Sequence, residues 1–154
     1  MTGFYPTGHL TSPHEPVRPD GLYGVSKVAV EALGRLYADK FGLSVICLRI
    51  GSFERVPTEQ RHLASWLSPR DAVGFIRAAL SAPPSTRFAI TYAVSANTRR
   101  FWDAPDQVDW AYTPVDNADL HAATTPGSDV TADSAAPQGG PYALPAATLK
   151  HLWS

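Results

Sequence analysis

A chain of 154 residues is long enough for one modest domain with a single core and too short for two. Its 44% apolar and 18% charged residues are the proportions of a folded globular protein and exclude a disordered one. The formal net charge of -1, with 13 basic residues scattered among 14 acidic ones, leaves no basic stripe to neutralise a phosphate backbone, so nucleic acid is not an expected partner.

Residues 1 to 21 carry Pro6, Pro13, Pro16 and Pro19 with Gly3, Gly8 and Gly21, a density that no regular helix or central strand tolerates, and read as a loop. From Leu22 to Phe41 the apolar positions Val25, Ala29, Val30, Leu33, Leu36 and Tyr37 recur at helical spacing, and Gly42 ends the run as a C-cap glycine does. Leu43 to Ile50 is a short, nearly continuous apolar run, the pattern of a parallel strand covered on both faces. Within it, Cys47 reads as a small buried hydrophobe with no second cysteine to pair with.

Gly51 to Leu67 reads as a long polar loop, of the kind that in compact domains is functional or mobile. A second helix opens at Ser68-Pro69-Arg70-Asp71, with Ser68 as N-cap and Pro69 in the first turn, and closes before Pro83-Pro84. Arg87 to Val94 is the next strand, and Asn117 to Ala123 a short helix. Residues 1 to 123 therefore form the domain, and 124 to 154 an irregular tail that wraps over it. A helix followed at once by a buried strand is half of a βαβ unit and places the chain in the α/β class.

The five histidines have no mutual spacing that suits a metal, so no metal is expected. Phe101, Trp102 and Trp110 read as packing, and Arg99-Arg100 as solvated. Met1 to Leu10 has neither a basic nor an apolar leader segment, and apolar residues nowhere run to the ~18 needed to cross a bilayer. A soluble, cytoplasmic protein without membrane partners is the expectation.

The chemistry rests on Tyr23 and Lys27, four apart on the first helix and so on one face. A phenol is a poor base at neutral pH, with an ordinary pKa of ~10, but a nearby ammonium stabilises the phenolate. Such a tyrosine takes a proton from a substrate hydroxyl. An exposed tyrosine and lysine on a surface helix have the same spacing, so the surrounding phrases decide between the two readings.

The run Arg18-Pro19-Asp20-Gly21-Leu22-Tyr23-Gly24-Val25-Ser26-Lys27 leads into that helix, and Leu48-Arg49-Ile50-Gly51-Ser52 closes the following strand. Both resemble extended short-chain dehydrogenases. The first phrase, with Gly3-Phe4-Tyr5-Pro6 before it, resembles uronate dehydrogenases in particular. The likeness continues in order through Trp66-Leu67-Ser68-Pro69-Arg70-Asp71, Tyr92 to Asn97, Phe101-Trp102-Asp103, Tyr112-Thr113-Pro114 and Gln138-Gly139-Gly140, covering nearly the whole chain.

The resemblance implies the C-terminal portion of a Rossmann-like doubly wound parallel sheet and NAD as cofactor. It makes Tyr23 the catalytic base, Lys27 its electrostatic partner and a ribose ligand, and Ile50 part of the nicotinamide pocket. Ser52 would touch a hexuronate substrate, Arg61 would grip its carboxylate with a planar guanidinium fork, and Tyr142 would cover the sugar.

The glycine-rich turn before a helix that binds the pyrophosphate in this family has no counterpart here, since Gly3 and Gly8 precede no predicted helix and Gly139-Gly140 follows no strand. The family's Ser-Asn-His stretch would stand just upstream of Met1. The expectation is a uronate dehydrogenase that lacks its first βαβ units and is inactive without them. Two alternatives stay open: a non-catalytic remnant that binds another copy or a paralogue through helix 22 to 41, and a related enzyme acting on another sugar or nucleotide sugar.

Overall fold

A computed structural model describes residues 1–103, 110–128 and 133–149. The first helix, α1 (Leu22–Phe41), has the predicted bounds, and Gly42 caps it in the left-handed conformation (φ 70°) with its N–H on the Ala38 carbonyl. Strand β1 (Val45–Ile50) follows after a short turn. The stretch expected to be a loop holds three short elements instead: β2 (Ser52–Phe53), the single-turn helix α2 (His62–Ser65) and β3 (Trp66–Leu67). Each is shorter than the window over which periodicity can be read.

Helix α3 (Pro69–Leu80) begins as its sequence predicts, with Ser68 Oγ accepting from the Asp71 N–H and Pro69 in the first turn. It is followed by β4 (Phe88–Ala93). Strands β1 and β4 pair in parallel from Val45 opposite Phe88 to Ile50 opposite Ala93, and β2 pairs in parallel with β3. A parallel pair joined by a crossover helix is the βαβ arrangement of an α/β fold.

One core cluster, Leu67, Ala72, Phe75 and Ala93, lies between α3 and the end of β4, with Leu48 and Tyr112 against it. A second, Leu63, Trp66 and Ala118, lies under a 3-10 helix spanning Ala118–Thr124, whose N-cap is Asn117. The tail is less irregular than predicted, with a 3-10 helix at Gly140–Ala143 and α4 at Pro145–Leu149. It returns to the N-terminal loop through an antiparallel bridge of Pro6 with Pro137 and bonds from Thr7 N to Ala136 O (2.8 Å) and Gln138 N to Tyr5 O (2.8 Å).

Three sequence expectations change. The apolar positions of α1 are not its buried face: Gly24, Glu31 and Ala38 are buried, while Val25, Val30, Leu33, Leu36 and Tyr37 are exposed. The only layer beneath the helix among the described residues is β1 and β4, which approach at Gly34, where Val45, Cys47 and Phe88 lie in contact range. Cys47 is therefore half-buried rather than fully enclosed, and desolvation raises its thiol pKa. Arg99 is not merely solvated, since it pairs with Asp119 at 2.8 Å and donates to Ser128 O at 3.1 Å.

Candidate active site

The site forms where the start of α1, the end of β1, α2 and the returning tail converge. Tyr23 is the second residue of α1 and 76% exposed. Lys27 lies one turn on, with Nζ 5.1 Å from the centre of the Tyr23 ring, so the ammonium sits over the ring face. Tyr23, Ile50, Arg61 and Tyr142 line one cavity of about 370 Å³, together with Asp20 and Trp102.

Arg61, just before α2, crosses to the tail. Its Nε donates to the Gln138 carbonyl at 2.9 Å and its Nη1 to Ser52 Oγ at 3.5 Å. Ser52 Oγ shares a hydrogen bond with Ser65 Oγ at 2.8 Å, and the Ser65 hydroxyl donates to Arg61 O at 3.1 Å. Arg61, Ser52 and Ser65 thus close a ring of bonds that fixes the guanidinium. Both acceptors on the guanidinium are neutral. Burial pulls its pKa below the ordinary value, against the opposing charges of Glu59 and Asp20 and the opposing effect of Tyr142. A desolvated cation held by neutral acceptors gains by pairing with a carboxylate from solution.

Gln138 is the hub of the tail and only 1% exposed. Its side-chain amide donates to Pro6 O (3.1 Å), His9 O (2.9 Å) and Thr11 Oγ1 (2.8 Å), and it accepts from Trp102 Nε1 at 3.0 Å. Trp102 in turn stacks on Tyr92 with ring centres 5.1 Å apart and planes 2° from parallel. These contacts give Trp102 a packing role and tie the carbonyl that holds Arg61 to the N-terminal loop.

Of the predicted site residues, Tyr23, Ile50, Arg61 and Tyr142 face the same cavity. Lys27 stands beside it on Tyr23. Ser52 is not among the residues lining that cavity, and its hydroxyl bonds Arg61 and Ser65 beside it. Asp20 and Gln138 were visible only as members of family-like phrases, and no spacing rule marked them. Among the described residues no group of His, Cys, Asp and Glu could hold a metal ion, and no helix is long and apolar enough to cross a membrane.

No protein-family model matches the chain. It is 38% identical over 144 residues to the uronate dehydrogenase of Agrobacterium fabrum, a match that covers 91% of this chain and 54% of that protein. The uronate dehydrogenase of Pseudomonas syringae is 31% identical over 133 residues, covering 86% of the chain and 48% of the relative. The crystal structure of the Agrobacterium tumefaciens uronate dehydrogenase superposes with a TM-score of 0.81 at 37% identity, over 92% of this chain and 54% of that one. This chain is a homologue of the uronate dehydrogenases. It spans about half the length of the curated relatives it matches, and its α/β fold with parallel strands is the corresponding part of the Rossmann-like uronate dehydrogenase structure.

A tyrosine-to-alanine variant of the A. tumefaciens uronate dehydrogenase, similar to this chain with a TM-score of 0.83 at 34% identity, was solved in complex with NAD. NAD is thus a cofactor among the uronate dehydrogenases. The described residues suit one end of it only. Lys27 and Tyr23 offer an exposed ammonium and hydroxyl for a ribose, and Ile50 an exposed apolar side chain for a ring. None of the described helices follows a strand through a glycine-rich turn, so the backbone donors that cradle a pyrophosphate are not supplied by these residues.

Proposed function

We propose that this chain carries the substrate-binding and proton-accepting part of an NAD-dependent uronate dehydrogenase, which converts a hexuronate to its aldarolactone. The observation that carries this reading is that Arg61, desolvated and bonded to neutral acceptors, opens onto the same cavity as Tyr23. A hexuronate has its carboxylate at one end and its anomeric hydroxyl at the other. Arg61 takes the carboxylate, and the proton of the anomeric hydroxyl passes to Tyr23 Oη. Lys27 stabilises the phenolate and would hold a ribose hydroxyl of bound NAD, Ile50 would face its nicotinamide ring, Ser52 keeps Arg61 in place at the edge of the sugar site, and Tyr142 covers the sugar. NAD, when bound, supplies the acceptor for the hydride that leaves the anomeric carbon.

The isolated chain is inactive on this reading, because a general base accelerates a reaction only when substrate and acceptor are held in reacting geometry. The test is NADH formation with glucuronate and galacturonate, for the chain alone and with an N-terminal half from a related uronate dehydrogenase added in trans or by fusion. Activity that needs the added half and vanishes in Tyr23→Phe supports the proposal. Turnover by the chain alone, or turnover unaffected by Tyr23→Phe, overturns it.

A second reading rests on α1. Its exposed Val30, Leu33 and Tyr37 make an apolar face suited to a second copy or a full-length paralogue, so the chain serves as an assembly module. A stable dimer that shows no activity with any added half favours it. A third reading keeps the chemistry and changes the sugar, since an L-arabinose 1-dehydrogenase of Haloferax volcanii is 39% identical over 117 residues. Neutral sugars preferred over uronates in the same assay favour that one. A cytoplasmic location, where free NAD is available, goes with the dehydrogenase readings.

A further inference from the structure

The Gln138-Gly139-Gly140 turn separates two opposite charges in the cavity. On one side, Gly140, in the left-handed conformation (φ 56°), lies against the Arg61 side chain, where an added Cβ would come within 3.4 Å of Cδ. On the other side the Asp20 carboxylate is wedged between Gly3 and Gly139, so closely that a Cβ on either glycine would overlap Oδ2. Gly139 N donates to Gly3 O at 2.9 Å, which closes this cradle. Asp20 lines the cavity. Among the described residues its half-buried carboxylate makes no hydrogen bond or ion pair, although its charge acts on both Arg61 and the Met1 amino group.

Placement of the two charges orders any ligand that fits. Asp20 lines the same cavity as Tyr23, three residues on in the chain, and the glycine turn lies between it and Arg61. A monocarboxylate is attracted to Arg61 and repelled by Asp20. A hydroxyl, which donates, is what Asp20 accepts, and a charged acceptor makes the stronger kind of hydrogen bond.

Resting on the uronate reading above, we infer that Asp20 is a substrate-binding residue. It accepts hydrogen bonds from sugar hydroxyls beside the reacting carbon and, with Arg61, admits the sugar acid in one orientation only. Gly3 and Gly139 are glycines because the carboxylate needs their missing side chains.

The test uses the 154-residue chain and three ligands: glucuronate, glucose, and cyclohexanecarboxylate, which has the acid without hydroxyls. Binding is followed by NMR chemical-shift titration. The wild-type chain is expected to bind glucuronate best. Asp20→Asn weakens glucuronate about tenfold, equivalent to about 1.4 kcal/mol, and leaves cyclohexanecarboxylate as tight or tighter, because the repulsion is gone. Arg61→Gln weakens both acids. Gly139→Ala provides a second route: its φ of -69° suits alanine, so the variant displaces the Asp20 carboxylate, with the Gly3 backbone at 3.3 Å giving by a few tenths of an ångström, and reproduces the selective loss. Glucuronate binding that is unchanged in Asp20→Asn, or in Gly139→Ala should Asp20→Asn not fold, overturns the inference while leaving the uronate reading in place. Failure of the wild-type chain to prefer acids, or of Arg61→Gln to weaken them, overturns the uronate reading and this inference with it.

Discussion

Arg49 on β1 grips both carboxylate oxygens of Glu31 on α1, with Nε to Oε1 at 2.9 Å and Nη2 to Oε2 at 3.0 Å, and both residues are buried. Burial works to lower the arginine pKa, but the bonds and charge of Glu31 outweigh it and hold the guanidinium above its ordinary value. The pair fastens the helix that carries Tyr23 to the strand that carries Ile50. Glu31→Ala, which strands a buried cation, is expected to cost about 3 to 5 kcal/mol. Urea unfolding is the measurement. Replacing both partners with apolar residues of similar volume should recover much of that loss, and a double variant no more stable than Glu31→Ala would count against the account.

Asp71 is fully buried and accepts four hydrogen bonds: from Ser95 Oγ (2.6 Å), Tyr112 Oη (2.9 Å), Val115 N (3.0 Å) and Asp116 N (3.1 Å). It pins residues 112 to 116 to the start of α3. Burial, then the hydrogen bond and charge of Asp71, push the Tyr112 phenol above its ordinary value of 10.0. Asp71→Asn is expected to lower stability by about 1 to 3 kcal/mol, since a buried acceptor is replaced by a misplaced donor. In the same variant, ultraviolet titration should show one tyrosine ionising at lower pH than in the wild type. An unchanged titration curve would mean that Asp71 does not act on Tyr112.

Asp116 is bonded to Arg70 and accepts from Ser68 Oγ at 2.6 Å, and the two together hold its pKa below the ordinary 3.8, Arg70 contributing most. With the folded-state value depressed, the stabilisation is present above the unfolded value and lost as pH falls through the folded one. Arg70 is largely exposed, so solvent screens the pair and the effect is small. Thermal melts below about pH 4 should show Asp116→Asn losing less stability with acidification than the wild type. At pH 7 the variant should be the less stable of the two.

Gly51 packs so tightly on α2 that an added Cβ would overlap the backbone oxygen of Ser65. A backbone atom cannot rotate aside, so Gly51→Ala must shift α2, and with it the Ser65 and Arg61 ring of bonds. The expected cost is about 1 to 3 kcal/mol, the usual range for overpacking. The Arg61 Nε–H signal in NMR should move as well, because its bond to Gln138 O depends on the same register.

Arg61→Lys tests the fork geometry in the complemented enzyme. A lysine keeps the charge but cannot bond Gln138 O, Ser52 and a carboxylate at fixed angles. The expected outcome is a rise in KM for uronates of about tenfold or more, equivalent to about 1.4 kcal/mol, with a smaller change in kcat. Equal kinetics for the two residues would remove the argument for an acidic substrate.

Local order was legible in the residues themselves. The bounds of α1, its Gly42 terminus, the Ser68 and Pro69 start of α3 and the two main strands follow from periodicity and capping, which act across a few residues and leave a trace in each short window. The family-like phrases, read in order, point to uronate dehydrogenases from the sequence alone. Only the tertiary structure decided which face of α1 is buried, because an apolar stripe records what a helix can cover and not which layer lies beneath it. It alone bonded Ser52 to Arg61 and brought Asp20, Arg61 and Gly139 to one cavity. The bond from Arg61 to Gln138 spans 77 residues, and its existence depends on the path of the returning tail, a long-range geometry that no local pattern encodes.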